Sequence, residues 1–233
     1  MNTKDQIEKL FLSNVSHRVR TPLNSVIGFS KLLLESDMSG NQVREFSRRI
    51  LDSGYDILNY FENLMILSEI ESGMIQVNPV KFSINPFLSE IIDEYNERFS
   101  EAEKIFIHRE YKSSNPDFIM NTDEYLFRQI VLNSFQLIQN SILEGQILVG
   151  YVPGENSVTL RVKTWNCSYK KDISEENLKT LYLQDYDSQE YLLMKTLNHL
   201  LNLLNGKLEI QFSNNKQLVF SITLINKLVR ITA

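Results

Sequence analysis

Apolar residues near the start of the chain recur at alternating steps of three and four: Leu12, Val15, Val19, Pro22, Val26, Phe29 and Leu33. That is the period of a helix that buries one seam against other helices, and it predicts a helix over 3–35. The helix stops at the turn-rich run Ser-Asp-Met-Ser-Gly-Asn around Gly40. A second seam follows, with Val43, Ile50, Ile57 and Leu64 repeating every seven residues and Phe46, Tyr60 and Leu67 in the companion positions. Ser53 and Gly54 interrupt it with small side chains, which we read as close helix packing. Two antiparallel helices bury too little alone, so two such hairpins are expected to pair into a four-helix bundle, making a homodimer.

Helical periodicity ends at Gly73, and an extended, proline-containing stretch leads to Phe82. From Asn85 the pattern becomes α+β. Asn85 and Pro86 open a helix whose buried stripe is Phe87, Leu88, Ile91, Ile92, Tyr95 and Phe99. Strands are predicted at 105–110, 118–120, 146–152, 158–163, 207–212 and 218–224, and helices at 123–142 and 189–204. The expected product is a mixed sheet covered on one face by helices. No internal repeat or low-complexity tract is present.

With 233 residues, 42% of them hydrophobic, the chain can bury a real core in one large or two modest domains. A formal net charge of −5 without a long basic run argues against general nucleic-acid binding. The single cysteine, Cys167, has no intrachain disulfide partner, which fits a reducing compartment. No apolar run approaches the ~20 residues of a membrane span, and the first residues are unlike a signal peptide. The expected location is the cytoplasm, as a protein by itself or as the cytosolic part of a larger sensor, with no membrane contact by this segment.

Candidate chemistry enters on the first helix. With Leu12 at heptad position a, His17 falls at f, the outermost position, and Asn14, Thr21 and Asn24 lie near it at helical spacings. Pro22 interrupts the helix one turn beyond, a break that normally costs ~3 kcal/mol and so asks for a reason. The run Ser16, His17, Arg20, Thr21, Pro22 and Leu23, as S-H-x-x-R-T-P-L, resembles the H-box of two-component sensor histidine kinases. In that family the histidine is the phosphoacceptor of a dimerisation hairpin, and an ATP-binding domain of the Bergerat type follows. The stretch 67–82 is similar to the family's linker. The resemblance implies a hairpin at 1–73 that forms a dimeric four-helix bundle, a linker at 74–81, and an α+β sandwich of the Bergerat type at 82–233.

The same resemblance allows the nucleotide site to be checked residue by residue. The N-box is matched by Arg128, Gln129 and Asn133, which leaves Asn133 as a vestigial cofactor-binding residue. One turn on, where the family has a magnesium-binding asparagine, stands Leu137, which has no oxygen to offer. Asn140 replaces a basic residue. Thr164 replaces the aspartate that accepts the adenine N–H, and Asn166 and Ser168 replace the following glycines. Tyr191 to Met194 fill the end of the second glycine motif, and no glycine occurs between Gly154 and Gly206. Glycine matters there because only a residue without Cβ lets backbone N–H groups close on phosphates. A micromolar site holds ~8 kcal/mol, and removing each buried polar interaction costs ~1 to 3 kcal/mol. Nucleotide affinity weaker than millimolar is therefore expected, with neither ATP nor magnesium as cofactor and no other metal.

The H-box departs as well. Arg18 stands where the family has the carboxylate that takes the imidazole proton, and guanidinium cannot act as a base. Losing such a base forfeits ~10²- to 10⁴-fold in rate. His17 keeps a nucleophilic nitrogen, and Thr21 lies where the family orients the water that dephosphorylates a receiver aspartate. Asn14, Arg18, Arg20 and Asn24 are the candidate partner-binding residues, the arginines steering an acidic receiver or a phosphoryl group. His108 and His199 lack companions at ligand spacing. Trp165 and Cys167 read as filler of a collapsed pocket, and Met65 and Met194 as core. The expected function is that of a pseudo-histidine kinase acting through receiver binding, phosphotransfer via His17, or receiver dephosphorylation with Thr21. The alternatives are an active sensor kinase with divergent nucleotide motifs and a non-catalytic dimeric interaction module.

Overall fold

The computed structural model describes residues 3–35, 38–110, 118–170, 173, 188–213 and 215–225. The side chains of Leu12, Asn14 and Phe99 lie outside those described. The chain divides into two compact units, Met1–Ile66 and Leu67–Ala233.

The first unit is a helical hairpin. Helix α1 spans Thr3–Glu35 with Pro22 inside it, and α2 spans Gly40–Glu71. Their antiparallel pairing brings Phe29 and Phe46 together near the turn, ring centroids 5.3 Å apart. Ser39 and Gln42 start α2 as a capping box: the Gln42 N–H donates to Ser39 Oγ at 3.4 Å, and the Ser39 N–H donates back to Gln42 Oε1 at 3.0 Å. The predicted seam residues Val15, Val19, Val26, Phe29, Ile50 and Ile57 are only half-buried in one chain. A second row is more open. Leu51, Leu58 and Met65, again seven residues apart, are 55%, 50% and 61% exposed. Met65 is thus corrected from core to surface, because a heptad pattern does not tell which face meets its own hairpin.

The second unit is α+β. Strand β1 (Val80–Ser83) pairs antiparallel with β3 (Ile119–Thr122) as a small separate sheet. The main sheet contains β2 (Ile105–Arg109), β4 (Ile142–Pro153), β5 (Ser157–Tyr169), β6 (Lys207–Phe212) and β7 (Leu218–Ile225). Its order is β2-β4-β5-β7-β6, with only the β2–β4 pair parallel. Period-two alternation puts Val158, Leu160, Val162, Leu218, Phe220, Ile222 and Leu224 on one buried face. Against that face pack α3 (Ile84–Glu103), α4 (Glu124–Ser141) and α5 (Gln189–Leu203), through Leu88, Ile91, Phe127, Ile130, Leu197 and Leu200 among others. Met194 is part of this core.

Several boundaries differ from expectation: β4 starts four residues before its predicted 146 and β3 ends two residues after its predicted 120, and the shifts of α3 and β5 have clear physical reasons. Helix α3 starts at Ile84 with Ser83 as its extended N-cap residue, two positions before Pro86; proline fits the first turn, where its missing N–H would have had no partner. Strand β5 runs to Tyr169, six residues past its predicted end at Lys163, because β4 begins at Ile142 and offers it a partner there.

Candidate functional site

On the hairpin, His17 and Thr21 are exposed one turn apart on α1, with Arg20 and Asn24 exposed nearby. The Thr21 hydroxyl leans on the His17 carbonyl at 3.5 Å, and the Ser25 hydroxyl on the Thr21 carbonyl at 3.4 Å. Such back-bonds flank the point where Pro22 leaves the Arg18 carbonyl without its helical donor. Arg18 separates from this stripe. It is half-buried and within electrostatic reach of Tyr60 on α2: burial pushes the Tyr60 phenol pKa up, and the Arg18 charge partly opposes the rise. The side chain of Asn14 is not among those described.

In the second unit, Asp123 caps α4 by accepting the Leu126 N–H at 3.0 Å. Along that helix Arg128 is engaged by Glu90 and Glu94 of α3, a structural pairing. Asn133 is buried, and its Nδ2 has no hydrogen-bond partner among the described residues. Leu137, one turn on, is fully buried, while Asn140 is half-buried.

On the sheet, β5 and the start of β7 carry a closed hydrogen-bond circuit. The Leu218 N–H donates to Thr164 Oγ1 at 2.9 Å and more weakly to the Tyr169 hydroxyl at 3.3 Å. The Tyr169 hydroxyl lies 2.6 Å from Thr164 Oγ1 and donates to the Lys216 carbonyl at 2.8 Å. A phenol has one proton and a carbonyl only accepts, so Thr164 must be the donor to Tyr169. Thr164 is itself fully buried, and burial pushes the Tyr169 pKa up. The tyrosine ring rests edge-on against Phe212, centroids 5.6 Å apart.

Between Thr164 and Tyr169 the strand carries a bulge. Asn166 takes a left-handed backbone, φ 50°, and Gly145 opposite it has φ 136°. A Cβ on Gly145 would lie 2.8 Å from the Asn166 carbonyl oxygen, so the two strands meet there only because this residue is glycine. Asparagine tolerates the left-handed region better than most residues, which is why it can hold this position. Trp165 is 44% exposed and points away from the helical layer, which corrects its reading as pocket filler. Cys167 is half-buried, its thiol leaning on the carbonyls of Trp165 at 3.3 Å and Gln146 at 3.4 Å; burial pushes its pKa up.

Helix α5 opens with Ser188 capping the Tyr191 N–H at 3.0 Å, and Leu193 and Met194 are already buried in its second turn. His108 is exposed on β2, stacked with Phe106, and His199 is half-buried on α5. Among the described residues no group of three or more His, Cys, Asp or Glu could hold a metal ion. None of their helices is long and apolar enough to cross a membrane. Sequence reasoning missed a cleft of about 630 Å³ between residues 75–80 and α4, with walls from Ile75, Val80, Phe87 and Leu126 and polar groups from Gln76, Asn78, Asp123 and Glu124. Its one sequence signal was the aspartate placed just before an apolar helix.

Residues 7–73 match the model of the His Kinase A (phospho-acceptor) domain. The chain is 31% identical over 138 residues to the probable histidine kinase 5 of Oryza sativa subsp. japonica, covering 59% of this chain and 11% of that protein. It is 29% identical over 177 residues to the cell-division control histidine kinase PdhS of Brucella anthropi, covering 72% of this chain and 16% of that protein. The chain therefore spans under a fifth of the length of these curated relatives. Histidine kinase ThkA, solved in complex with the response regulator protein TrrA, shares the fold over 97% of this chain and 64% of its own, with a TM-score of 0.59 and 17% identity. Residues 7–73 are thus a His Kinase A (phospho-acceptor) domain by their match, and the chain as a whole is similar in sequence to histidine kinases and shares the fold of one.

Proposed function

We propose that this protein is a pseudo-histidine kinase: a homodimer that docks a receiver domain on the His17 stripe and moves phosphate without making it from ATP. The observation that carries the reading is the Thr164–Tyr169–Lys216–Leu218 circuit, in which the chain's own groups use the hydrogen bonds that an adenine amino group would need. The residues present do not fit a magnesium nucleotide. Leu137 offers no ligand, Thr164 is already donor and acceptor, and β5 runs as a paired strand where a glycine loop would open.

A receiver as partner is supported by ThkA, which is seen with a response regulator. The open row Leu51, Leu58 and Met65 supports the dimer, since a second hairpin would cover it. On the stripe, an imidazole nitrogen of His17 attacks the phosphorus of a receiver aspartyl phosphate. The P–O bond to the carboxylate breaks, a P–N bond forms, and the imidazole proton leaves to solvent. Arg20 lies close enough along the helix to meet the phosphoryl charge. Alternatively, Thr21 orients water for attack on the same phosphorus, releasing inorganic phosphate.

One observation favours the other reading, an active kinase with divergent motifs: the buried Asn133 Nδ2 lacks a partner among the described residues, as it would if a ligand completed its surroundings. Calorimetric titration of Mg-ADP and a non-hydrolysable ATP analogue, up to millimolar, separates the two. The pseudokinase shows no heat in a folded sample and exchanges phosphate with a phosphorylated receiver. Substituting His17→Ala removes the exchange, and Thr21→Ala slows receiver dephosphorylation by roughly ten- to a hundredfold. A saturable nucleotide isotherm would sink the proposal.

A further inference from the structure

Tyr169 stands out in the hydrogen-bond circuit on the sheet, because its side chain reaches back along its own strand to a residue five positions earlier. Three groups converge on its hydroxyl: the Thr164 hydroxyl, the Lys216 carbonyl and the Leu218 N–H. The last two are a backbone acceptor and a backbone donor flanking one turn position. Such a pair is the complement of the edge that an aminopurine or aminopyrimidine presents, with an exocyclic N–H beside a ring nitrogen. A planar aromatic ring from the chain itself already lies there, edge-on to Phe212.

We infer that Tyr169 is the built-in occupant of the space bounded by the Thr164 hydroxyl, the Lys216 carbonyl, the Leu218 N–H and the Phe212 ring, an intramolecular stand-in for a planar heterocycle that keeps that space filled. The inference rests on the proposed loss of nucleotide binding and adds to it the residue that fills the space. The backbone supports the role. The bulge at Gly145 and Asn166 delivers β5 back onto β4, so that Tyr169 pairs with Ile142 and lies within reach of Thr164. Removing the side chain would leave the Lys216 carbonyl, the Leu218 N–H and the Thr164 hydroxyl without that partner, in a space the size of a phenol.

The test uses the full-length chain with Tyr169→Ala, with 4-methylphenol as the first probe and adenine as the second, read by thermal melting. Tyr169→Ala is expected to melt lower than the wild type. Millimolar 4-methylphenol raises its melting temperature by about 2 °C or more while leaving the wild type unmoved. Adenine stabilising the variant alone would show that the emptied space still reads a donor–acceptor edge. A folded variant that responds to neither probe, or a wild type that responds equally, overturns the inference. If Tyr169→Ala does not fold, Tyr169→Phe keeps the ring and removes the hydroxyl. Amide exchange at Leu218 must then quicken, and unchanged exchange overturns the inference as well. Mg-ADP binding to the wild type would defeat the pseudokinase reading and this one together. Silence of the wild type toward Mg-ADP, with no rescue of the variant, defeats only this one.

Discussion

The carboxylate of Asp123 accepts the backbone N–H of Asn78 at 2.8 Å through Oδ2 while its other oxygen caps α4. One side chain therefore fixes both the start of a core helix and the path of the chain at Asn78, 45 residues earlier. The Asp123 side chain is buried, so a replacement leaves two amides unsatisfied where water reaches them poorly. Asp123→Ala is expected to cost about 2 to 4 kcal/mol, combining the helix cap with a charged hydrogen bond. Urea denaturation measures the loss, and amide exchange at Asn78 and Leu126 should rise together. Exchange rising at Leu126 alone would mean that the chain at Asn78 is held by something else.

Gly145 predicts a steric penalty with little chemistry in it. An added Cβ meets the Asn166 carbonyl oxygen and the Cys167 Cα, both at 2.8 Å, from a backbone with φ 136°. Backbone has nowhere to yield in a paired strand. Gly145→Ala should destabilise the second unit by about 2 to 4 kcal/mol. A denaturation midpoint unchanged from wild type would show that the bulge is looser than its geometry.

Tyr169 also predicts a pH dependence. Its pKa in the folded chain is raised above the ordinary 10.0, first by burial. The unfolded chain therefore gives up this proton at lower pH than the folded chain. The stability it contributes is full below pH 10 and is lost as pH rises from there through the folded value. Urea midpoints measured upward from pH 10 should fall more steeply for wild type than for Tyr169→Phe. Parallel curves would mean that the phenol titrates as freely as in the unfolded chain.

Leu51 and Leu58 predict the assembly. Both are at least half exposed in a single chain, on one face of α2 and one heptad apart. Leu51→Glu with Leu58→Glu should convert a dimer to a monomer in sedimentation analysis, since carboxylates cannot be desolvated in an apolar seam without a partner. The second unit should keep its melting transition. A dimer surviving both changes would place the interface elsewhere.

Much of the fold is legible in the sequence because it rests on period. The heptads of α1 and α2 and the alternating strands β6 and β7 follow from spacing alone, with ends matched to a residue or so. Spacing says which residues share a face and is silent on what the face meets, so Met65 reads as core and lies on the surface. The end of β5 is illegible for a different reason. Thr-Trp-Asn-Cys-Ser-Tyr does not alternate throughout, and its strand character comes from pairing with Ile142–Ile147, a partner distant in sequence. Trp165 is outward because the alternation that buries Val158, Leu160, Val162 and Thr164 still holds there, and the left-handed Asn166 breaks that alternation only after it. The double duty of Asp123 is half visible, since a cap is a local signal while the Asn78 amide it also holds is not.

The extension of β5 also changes what sets the second unit's melting point. A site that takes a ligand ties stability to ligand concentration through mass action. Here the corresponding groups are saturated by strand pairing and by a tyrosine at a fixed effective concentration. On the proposed reading the unit is as stable in a starved cell as in a fed one, and it carries no information about the energy state around it. Regulation of such a protein falls to the hairpin, to whatever meets His17 and the open face of α2.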